Sequence, residues 1–563
     1  MTKPSDLPPP FSWREVVGPP TDPEDERIDV GVAIVGAGPA GLACAIRLGQ
    51  LLEERPETAK RLGEVPVVVL EKGKQPGSHL LSGAVVNPRS LRTLFQDRKR
   101  IEEMPFFGPV PGEAVYFLTR HNALRIPAPP TMKNHHNFIA SLSQLGRWLA
   151  EQAEEAGATI LPETSATKLL VTDGRVRGIR TGDRGRGRGG EELGNFEPGS
   201  DIVARVTVLC EGTQGHLTGA AIQAFGLEGD NPQVWALGVK EVWRVARPLD
   251  RVIHTMGWPL RASARYREFG GSFIYPMGTD RVALGMVVGL DYRDAELSVH
   301  DLLQELKTHP LVRDLLAGGE RLEWGAKTIP EGGFVALPKQ LHAPGLLLCG
   351  DGAGMVNVPA LKGVHYAIES GRLAAEAAFA AVQRGATPAT ALAAYDDAVR
   401  DSFIWTDLHE VRNMRQAFGR GFWMGGAAAS VMTATKGHFP PGDSDTHPDS
   451  DQELITTDRA REYPTPDGKL TFDKLSSVFA SGNKTRDDQP SHIRIQTNVP
   501  RDLAEMWHWM CPAQVYEVGE ADGDGTVTVQ VNPSNCVQCG AISAKGGRLT
   551  PPEGGSGPEY TIT

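Results

Sequence analysis

No apolar run in this sequence reaches the roughly 18 residues that a helix needs to cross a bilayer, so a helical membrane span is excluded. Basic charge is also in deficit. Lys and Arg number 58 against 69 Asp and Glu, a formal net charge of −11. Phosphate binding needs a basic surface, which excludes nucleic acid as the main partner. Met1–Arg27 has no charged-then-apolar secretory pattern and carries Pro8, Pro9, Pro10, Pro19 and Pro20. It reads as a loosely ordered leader on a cytoplasmic protein. Cysteine is scarce, and the six divide into two sets. Cys44, Cys210 and Cys349 stand singly in apolar surroundings and read as buried thiols, while Cys511, Cys536 and Cys539 crowd the C-terminus. Without a secretory signal, that crowding points to metal ligands before disulfides.

What is present is an ordinary globular balance, 40% hydrophobic and 23% charged, in a chain of 563 residues. That length supports a large core and more than one subdomain. Asp29–Gly36 alternates into a short apolar strand, Ala40–Leu51 has helical spacing, and Val67–Leu70 is a second strand ending at Glu71. Phe138–Ala156 reads as an amphipathic helix, and Asp201–Leu209 and Gly345–Leu348 as strands. Gly182–Gly199 reads as an exposed hairpin or loop insertion. The block from about Val234 to Lys327 is strand-rich, and Pro388–His409 is helical in pattern. From about Gln489 the chain offers short strands, turns and cysteines.

Gly36-Ala37-Gly38-Pro39-Ala40-Gly41 fits G-x-G-x-x-G between a strand and a helix. Gly36 permits the tight turn, Gly38 lets backbone approach a pyrophosphate, and Gly41 allows close helix–strand packing. Glu71, with Lys72 beside it, stands where ribose hydroxyls are held; Glu53–Pro66 lengthens the offset beyond the usual ~20 residues. Leu347–Gly354 is an apolar strand ending in Gly350-Asp351, followed by a helix containing Gly363 and Gly371. Val208–Gly212 supplies a third partial match. Three spaced elements of one site indicate a Rossmann-type α/β fold that holds FAD.

Cys536-Val537-Gln538-Cys539 is a C-x-x-C pair, with Cys511-Pro512 earlier in the chain. Such thiolates can share an iron–sulfur cluster closed by the remote cysteine. Zinc takes the same pairs, and a redox C-x-x-C is a weaker rival because no thioredoxin-like pattern surrounds it.

At this point the chain resembles the electron transfer flavoprotein–ubiquinone oxidoreductase family from Asp29 almost to its end. The resemblance is carried by Gly36–Gly41, Leu81-Ser82-Gly83-Ala84, Gly270-Gly271-Ser272-Phe273, Asn357-Val358-Pro359 and Lys362-Gly363. Cys511-Pro512-Ala513, Asn535–Cys539 and Pro552-Glu553-Gly554-Gly555 complete it. It implies a glutathione-reductase-like FAD fold, a β-rich quinone domain and a C-terminal ferredoxin-like iron–sulfur domain. It also implies a monotopic membrane enzyme that takes electrons from reduced electron transfer flavoprotein and passes them to a membrane quinone. Ser82, Gly83, Gly350, Asp351, Asn357 and Gly363 would lie at FAD; Phe269, Gly270 and Gly271 at the quinone; Cys511, Cys536 and Cys539 at a four-iron cluster; and Tyr516 near a cluster cysteine. The family pattern C-x-x-C-x-x-C departs here, because position 542 is Ile542. A non-cysteine ligand such as Ser543 or water, a three-iron cluster, or a lost cluster are the readings this leaves.

The expected organisation is a leader at 1–28 and a discontinuous FAD domain at 29–104, 137–233 and 328–400. A quinone domain would take 105–136 and 234–327, a helical membrane-docking region 401–487, and an iron–sulfur domain 488–563. Gly421–Met432 is too short to span a bilayer but suits a helix dipping into one leaflet, with Arg412, Arg415, Arg420 and Lys436 at head groups. Pro105–Pro130, with Phe106, Phe107, Tyr116, Phe117 and Leu118, is a second candidate, as a membrane-facing or core hairpin. The expected location is the cytoplasmic face of a bacterial-type inner membrane. Electron chemistry belongs to the cofactors, so no catalytic triad is expected. His254 and His365 are proton donors by residue type alone, a role structural histidines share. An FAD-dependent prenyl-lipid reductase is the alternative enzyme, and an electron-carrying subunit the non-enzymatic one. Neither explains the cysteines together with the glycine pair.

Overall fold

The computed structural model describes residues 2–96, 103–384, 389–455, 460–523 and 525–563. Pro388 and the side chain of Arg420 lie outside them.

Two large sheets carry the site. Among the described residues one has nine strands, and its centre is parallel: Leu346–Leu348, Asp201–Leu209, Ile28–Val35, Val67–Leu70 and Thr159–Leu161. These strands are near-continuous Val, Ile and Leu because helices cover both faces of a parallel sheet. The helices Pro39–Glu54, Leu142–Glu155 and Val364–Gln383 supply the buried cover. The second sheet has seven strands in the order Glu320–Pro330, Trp235–Arg244, Arg281–Gly289, Gly270–Pro276, Val252–Gly257, Glu113–Leu118 and Ala123–Ile126. Its Val252–Gly257 and Glu113–Leu118 strands run parallel, and its other pairs antiparallel. The C-terminal region adds a three-stranded sheet, Asn498–Pro500, Thr526–Val531 and Tyr516–Ala521, and packs into the same core as the second sheet.

Several expectations change. The leader is not loose. Val17–Gly18 pairs with Leu169 and Leu170, Thr2 Oγ1 donates to Asp502 at 2.8 Å, and Arg180 holds Asp22 at 2.7 Å. Its prolines keep helix to the short 3₁₀ turns Pro4–Asp6, Trp13–Glu15 and Glu24–Glu26 but do not prevent docking. The helix expected over Phe138–Ala156 starts at Leu142, capped by Ser141 accepting from the Gln144 N–H, and Phe138–Ala140 is a strand. The Pro105–Pro130 hairpin divides between two sheets: Phe106–Pro109 pairs with Phe138–Ala140, and Glu113–Leu118 turns onto Ala123–Ile126. The tail also contains a helix, Arg501–Met510, that the turn-rich reading passed over. The Gly182–Gly199 hairpin forms as expected, from Arg184–Arg186 and Glu192–Glu197.

Candidate functional site

Ile28–Val35 ends in Gly36, whose φ of +106° suits glycine and where a Cβ would lie 2.4 Å from the Cys210 carbonyl oxygen. A Cβ on Gly41 would lie 2.0 Å from the Gly36 carbonyl oxygen. The helix Pro39–Glu54 begins with Pro39, which has no N–H to leave unpaired, and its remaining N-terminal amides are free for an anion. Glu71 Oε1 accepts from the Gly73 N–H at 2.6 Å and Oε2 from the Ala37 N–H at 3.2 Å, which ties the acid to the glycine turn. Burial raises its pKa against these amides. Across the sheet, Leu346–Leu348 delivers Gly350 and Asp351, and burial lifts Asp351 to about 6.

These residues open onto one cavity of about 1150 Å³, above the ~300–1,000 Å³ of an ordinary small-ligand pocket. Gly36, Gly38, Glu71, Lys72, Ser82, Gly83, Gly350, Asp351 and Gly363 line it, as do Phe269, Gly270 and Gly271 from the second sheet. The nucleotide and quinone candidates thus meet in one space large enough for two ligands. Gly41 is not in the lining; it sets helix packing. Asn357 is not in the lining either. Its Oδ1 accepts from the Ala360 N–H at 3.0 Å and it bridges to Lys362, shaping the loop before Gly363.

The far chamber is built from backbone. A Cβ on Gly270, at φ +154°, would lie 2.0 Å from the Val287 carbonyl oxygen, and one on Gly271 2.4 Å from that of Thr255. Phe269 lies tilted against Phe418 with centroids 4.8 Å apart, under the Arg415 guanidinium at 4.2 Å. His254 Nε2 and the Tyr275 hydroxyl are 2.7 Å apart, and both residues line the cavity. Burial drives His254 down to about 3, so it is neutral at pH 7. His365 is buried in its helix outside the lining, its ring 3.9 Å from that of Tyr366.

The helix Phe422–Ala434 closes the chamber with Gly426, Ala429, Ser430 and Thr433, and leaves Trp423, Met424 and Val431 68%, 64% and 47% exposed. Two of its expected basic flanks are not at the surface. Arg415 is 7% exposed and bonds Asp291 and Glu331, both at 2.7 Å, while Arg412 is buried and donates to the Gly437 carbonyl. Lys436 is exposed. No helix among the described residues is long and apolar enough to cross a membrane.

Cys511, at the end of Arg501–Met510, joins Cys536 and Cys539 in the C-terminal core. The three thiols lie close enough to raise one another's pKa on top of burial, which pushes Cys539 up to about 12. Sγ of Cys536 accepts from the Gln538 N–H and Sγ of Cys511 from the Val515 N–H, each at 3.4 Å. Amides directed at sulfur suit thiolates on a cluster. Among the described residues no three His, Cys, Asp or Glu, these thiols included, are grouped closely enough to hold a metal ion. Tyr516 is buried beside all three thiols.

The sequence reading passed over the junction between the two centres. Gln538, inside the C-x-x-C, also lines the large cavity; its Oε1 accepts from Lys72 Nζ at 2.6 Å and its carbonyl from Lys327 Nζ at 3.1 Å. The Thr328 N–H and hydroxyl donate to the Cys539 carbonyl at 2.8 and 2.9 Å. Burial lowers Lys72, and Lys327 to about 8. Lys240 and Lys362 also face the cavity, pushed by burial to about 7 and about 8. Lysine inside the apolar strands Trp235–Arg244 and Glu320–Pro330 was the available signal, since buried charge is rare without a task.

Comparison with known proteins adds independent findings. The ubiquinone-binding model of the ETF-QO family matches residues 235–329, and the electron transfer flavoprotein-ubiquinone oxidoreductase 4Fe-4S model matches 468–561. A mitochondrial electron transfer flavoprotein-ubiquinone oxidoreductase of Arabidopsis thaliana is 40% identical over 95% of this chain and 85% of its own. The enzyme of that name in Pseudomonas aeruginosa is 38% identical, covering 95% and 99%. Among solved structures, a geranylgeranyl bacteriochlorophyll reductase-like protein of Thermoplasma acidophilum superposes with a TM-score of 0.55 at 16% identity, covering 73% and 92%. That last likeness concerns the fold alone.

Proposed function

This chain belongs to the electron transfer flavoprotein-ubiquinone oxidoreductase family, and from that premise we propose that it carries electrons from reduced electron transfer flavoprotein to a membrane quinone. FAD and an iron–sulfur cluster supply the redox chemistry. The observation that carries the reading is the shared wall: Gln538 lies between two cysteines and also faces the cavity lined by Gly36, Glu71 and Asp351. Electron entry at the thiols and exit at the cavity are therefore adjacent.

The residues divide the work. Gly36, Gly38 and the start of Pro39–Glu54 receive the pyrophosphate, Glu71 orients the ribose, and Asp351 with Gly363 faces the remainder of FAD. Gly270 and Gly271 admit a flat ring to the far chamber, whose wall Phe269 and Arg415 stiffen. Lys362 and the His254–Tyr275 pair are the proton-bearing groups facing that space. Trp423, Met424 and Val431 rest in the outer layer of the lipid, on the cytoplasmic face of a bacterial membrane, so that a prenylated quinone enters beneath Phe422–Ala434. Lys436 is the basic flank that meets head groups.

The domain boundaries proposed are those of the sequence reading, with the leader joined to the folded body. Buried thiols at one centre favour this function over double-bond reduction of prenyl lipids, which needs no cluster. The test is steady-state turnover with reduced electron transfer flavoprotein and a short-chain quinone. Quinol formation that depends on both cofactors is expected, and flavin-loaded protein that forms none would overturn the reading.

A further inference from the structure

We propose that the iron–sulfur centre of this chain is held by three protein thiolates alone and rests as a three-iron cluster, with Lys72 and Lys327 as its counter-charge. The inference depends on the preceding reading that a cluster is present, and concerns how it is built.

The donor inventory is short. Cys44, Cys210 and Cys349 belong to the core behind the nucleotide-binding sheet, whereas Cys511, Cys536 and Cys539 sit in the C-terminal core. No fourth thiol can reach. Ile542, three residues past Cys539, is 3% exposed in the same apolar cluster as Cys511 and Cys536. It closes onto Gly547, where a Cβ would lie 2.5 Å from Ile542 Cγ1. An aliphatic side chain there offers no lone pair to an iron. Ser543 is a neighbouring oxygen, and its Oγ is turned to the Leu549 N–H, from which it accepts at 3.0 Å. No His, Asp or Glu completes an ion-binding group with these thiols among the described residues.

An iron at that corner would have no protein ligand, while each of the other three has one thiolate. Its loss as Fe²⁺ from an oxidised four-iron core would leave an oxidised three-iron core, held by the three thiolates, and would release one electron that a bound flavin could take up. Sulfides and thiolates are conserved in the exchange.

The surrounding charge agrees. An oxidised three-iron core bound by three thiolates is dianionic. Lys72 and Lys327 are two ammonium groups bonded to opposite ends of one residue, Gln538, between the two C-x-x-C cysteines. Neither forms a salt bridge to a carboxylate among the described residues, although Glu71 and Glu211 share the field at Lys72. Both ammonium groups are half-buried and line the large cavity; an anion nearby stabilises such charges, and the cluster is one. Both lysines act on the cluster through its field, as positioning charges that favour the reduced form.

The test uses the full chain, purified and reconstituted without oxygen. Iron and flavin are quantified, and EPR spectra are taken before and after dithionite. The expected result is about three irons per flavin, with a half-integer signal in the oxidised protein that disappears on reduction. Four irons with a signal only after reduction would overturn this inference while leaving the proposed function intact. Flavin without iron would overturn both. I542C is expected to gain the fourth iron and move the signal to the reduced protein; an I542C protein with unchanged iron and spectrum would refute the corner assignment. K327M is expected to shift the reduction equilibrium at least tenfold toward the oxidised form, 59 mV for a one-electron couple, with K327R retaining the wild-type value. Equal potentials in K327M and wild type would remove the lysines from the account.

Discussion

Replacing Arg415 by methionine isolates what holds the far chamber together. Its guanidinium bonds Asp291 and Glu331 at 2.7 Å each and lies over Phe269 at 4.2 Å, with all three charged side chains under a tenth exposed. Methionine keeps most of the volume but leaves two buried carboxylates facing each other. Breaking a buried pair from one side costs about 3–5 kcal/mol, because the remaining charge is uncompensated. Domain stabilities are about 5–15 kcal/mol; at about 2.1 cal/mol/K of unfolding entropy per residue, a chain of 563 residues shifts by about 0.8 °C per kcal/mol, so R415M should lose roughly 3–4 °C of Tm. Calorimetry on the flavin-loaded protein measures it. The triple variant R415M/D291N/E331Q removes the stranded charges and should recover more than half of the loss. Burial raises Asp291, but Arg415 and Arg267 more than offset it and hold it below the ordinary aspartate range. Its contribution is therefore present above the unfolded pKa of about 3.9 and is lost as pH falls through the lower folded value. Wild type should lose that increment in acid, and R415M should not. A Tm within about 1 °C of wild type, or a triple variant no better than the single, would refute the reasoning.

Three further outcomes follow from the same geometry. G41A forces a Cβ against the Gly36 carbonyl, and overpacking of about 1–3 kcal/mol should weaken FAD binding roughly 5- to 150-fold in apoprotein titrations. G271V should keep its flavin spectrum yet lose at least about tenfold in quinone turnover, since its side chain meets the Thr255 carbonyl inside the chamber. W423S/M424S should fall at least about tenfold in vesicle co-sedimentation without changing flavin content, because two large exposed apolar side chains are removed.

The strand–glycine turn–helix unit proposed to cradle the nucleotide was legible because its logic is local. Strand, glycine turn and helix follow one another from Ile28 to Glu54, and Gly36 and Gly41 are each required by a backbone contact within a few residues or one strand away. The cysteine spacing was legible for the same reason. The junction was not, since Lys72 and Gln538 are 466 positions apart and Lys327 and Gln538 are 211 apart. Only a folded chain brings them together. Arg412 and Arg415 were misplaced at the surface because local sequence gives their charge but not their partners, which come from Gly437, Asp291 and Glu331. The leader misled in the opposite direction: proline content tells which elements cannot form, and Thr2 meets Asp502 from 500 positions away. The helix Phe422–Ala434 was visible as an uncharged run, but which of its faces would close a cavity was not.

Gln538 lines the large cavity and donates its N–H to Cys536 Sγ, so the proposed flavin and cluster sites share a wall there. Half-reduced protein examined by pulsed EPR tests this directly, through the spin relaxation of the flavin radical. Adjacency predicts relaxation markedly faster than in protein whose cluster has been removed by a chelator. Identical relaxation in the two preparations, with both centres present in the first, would contradict it.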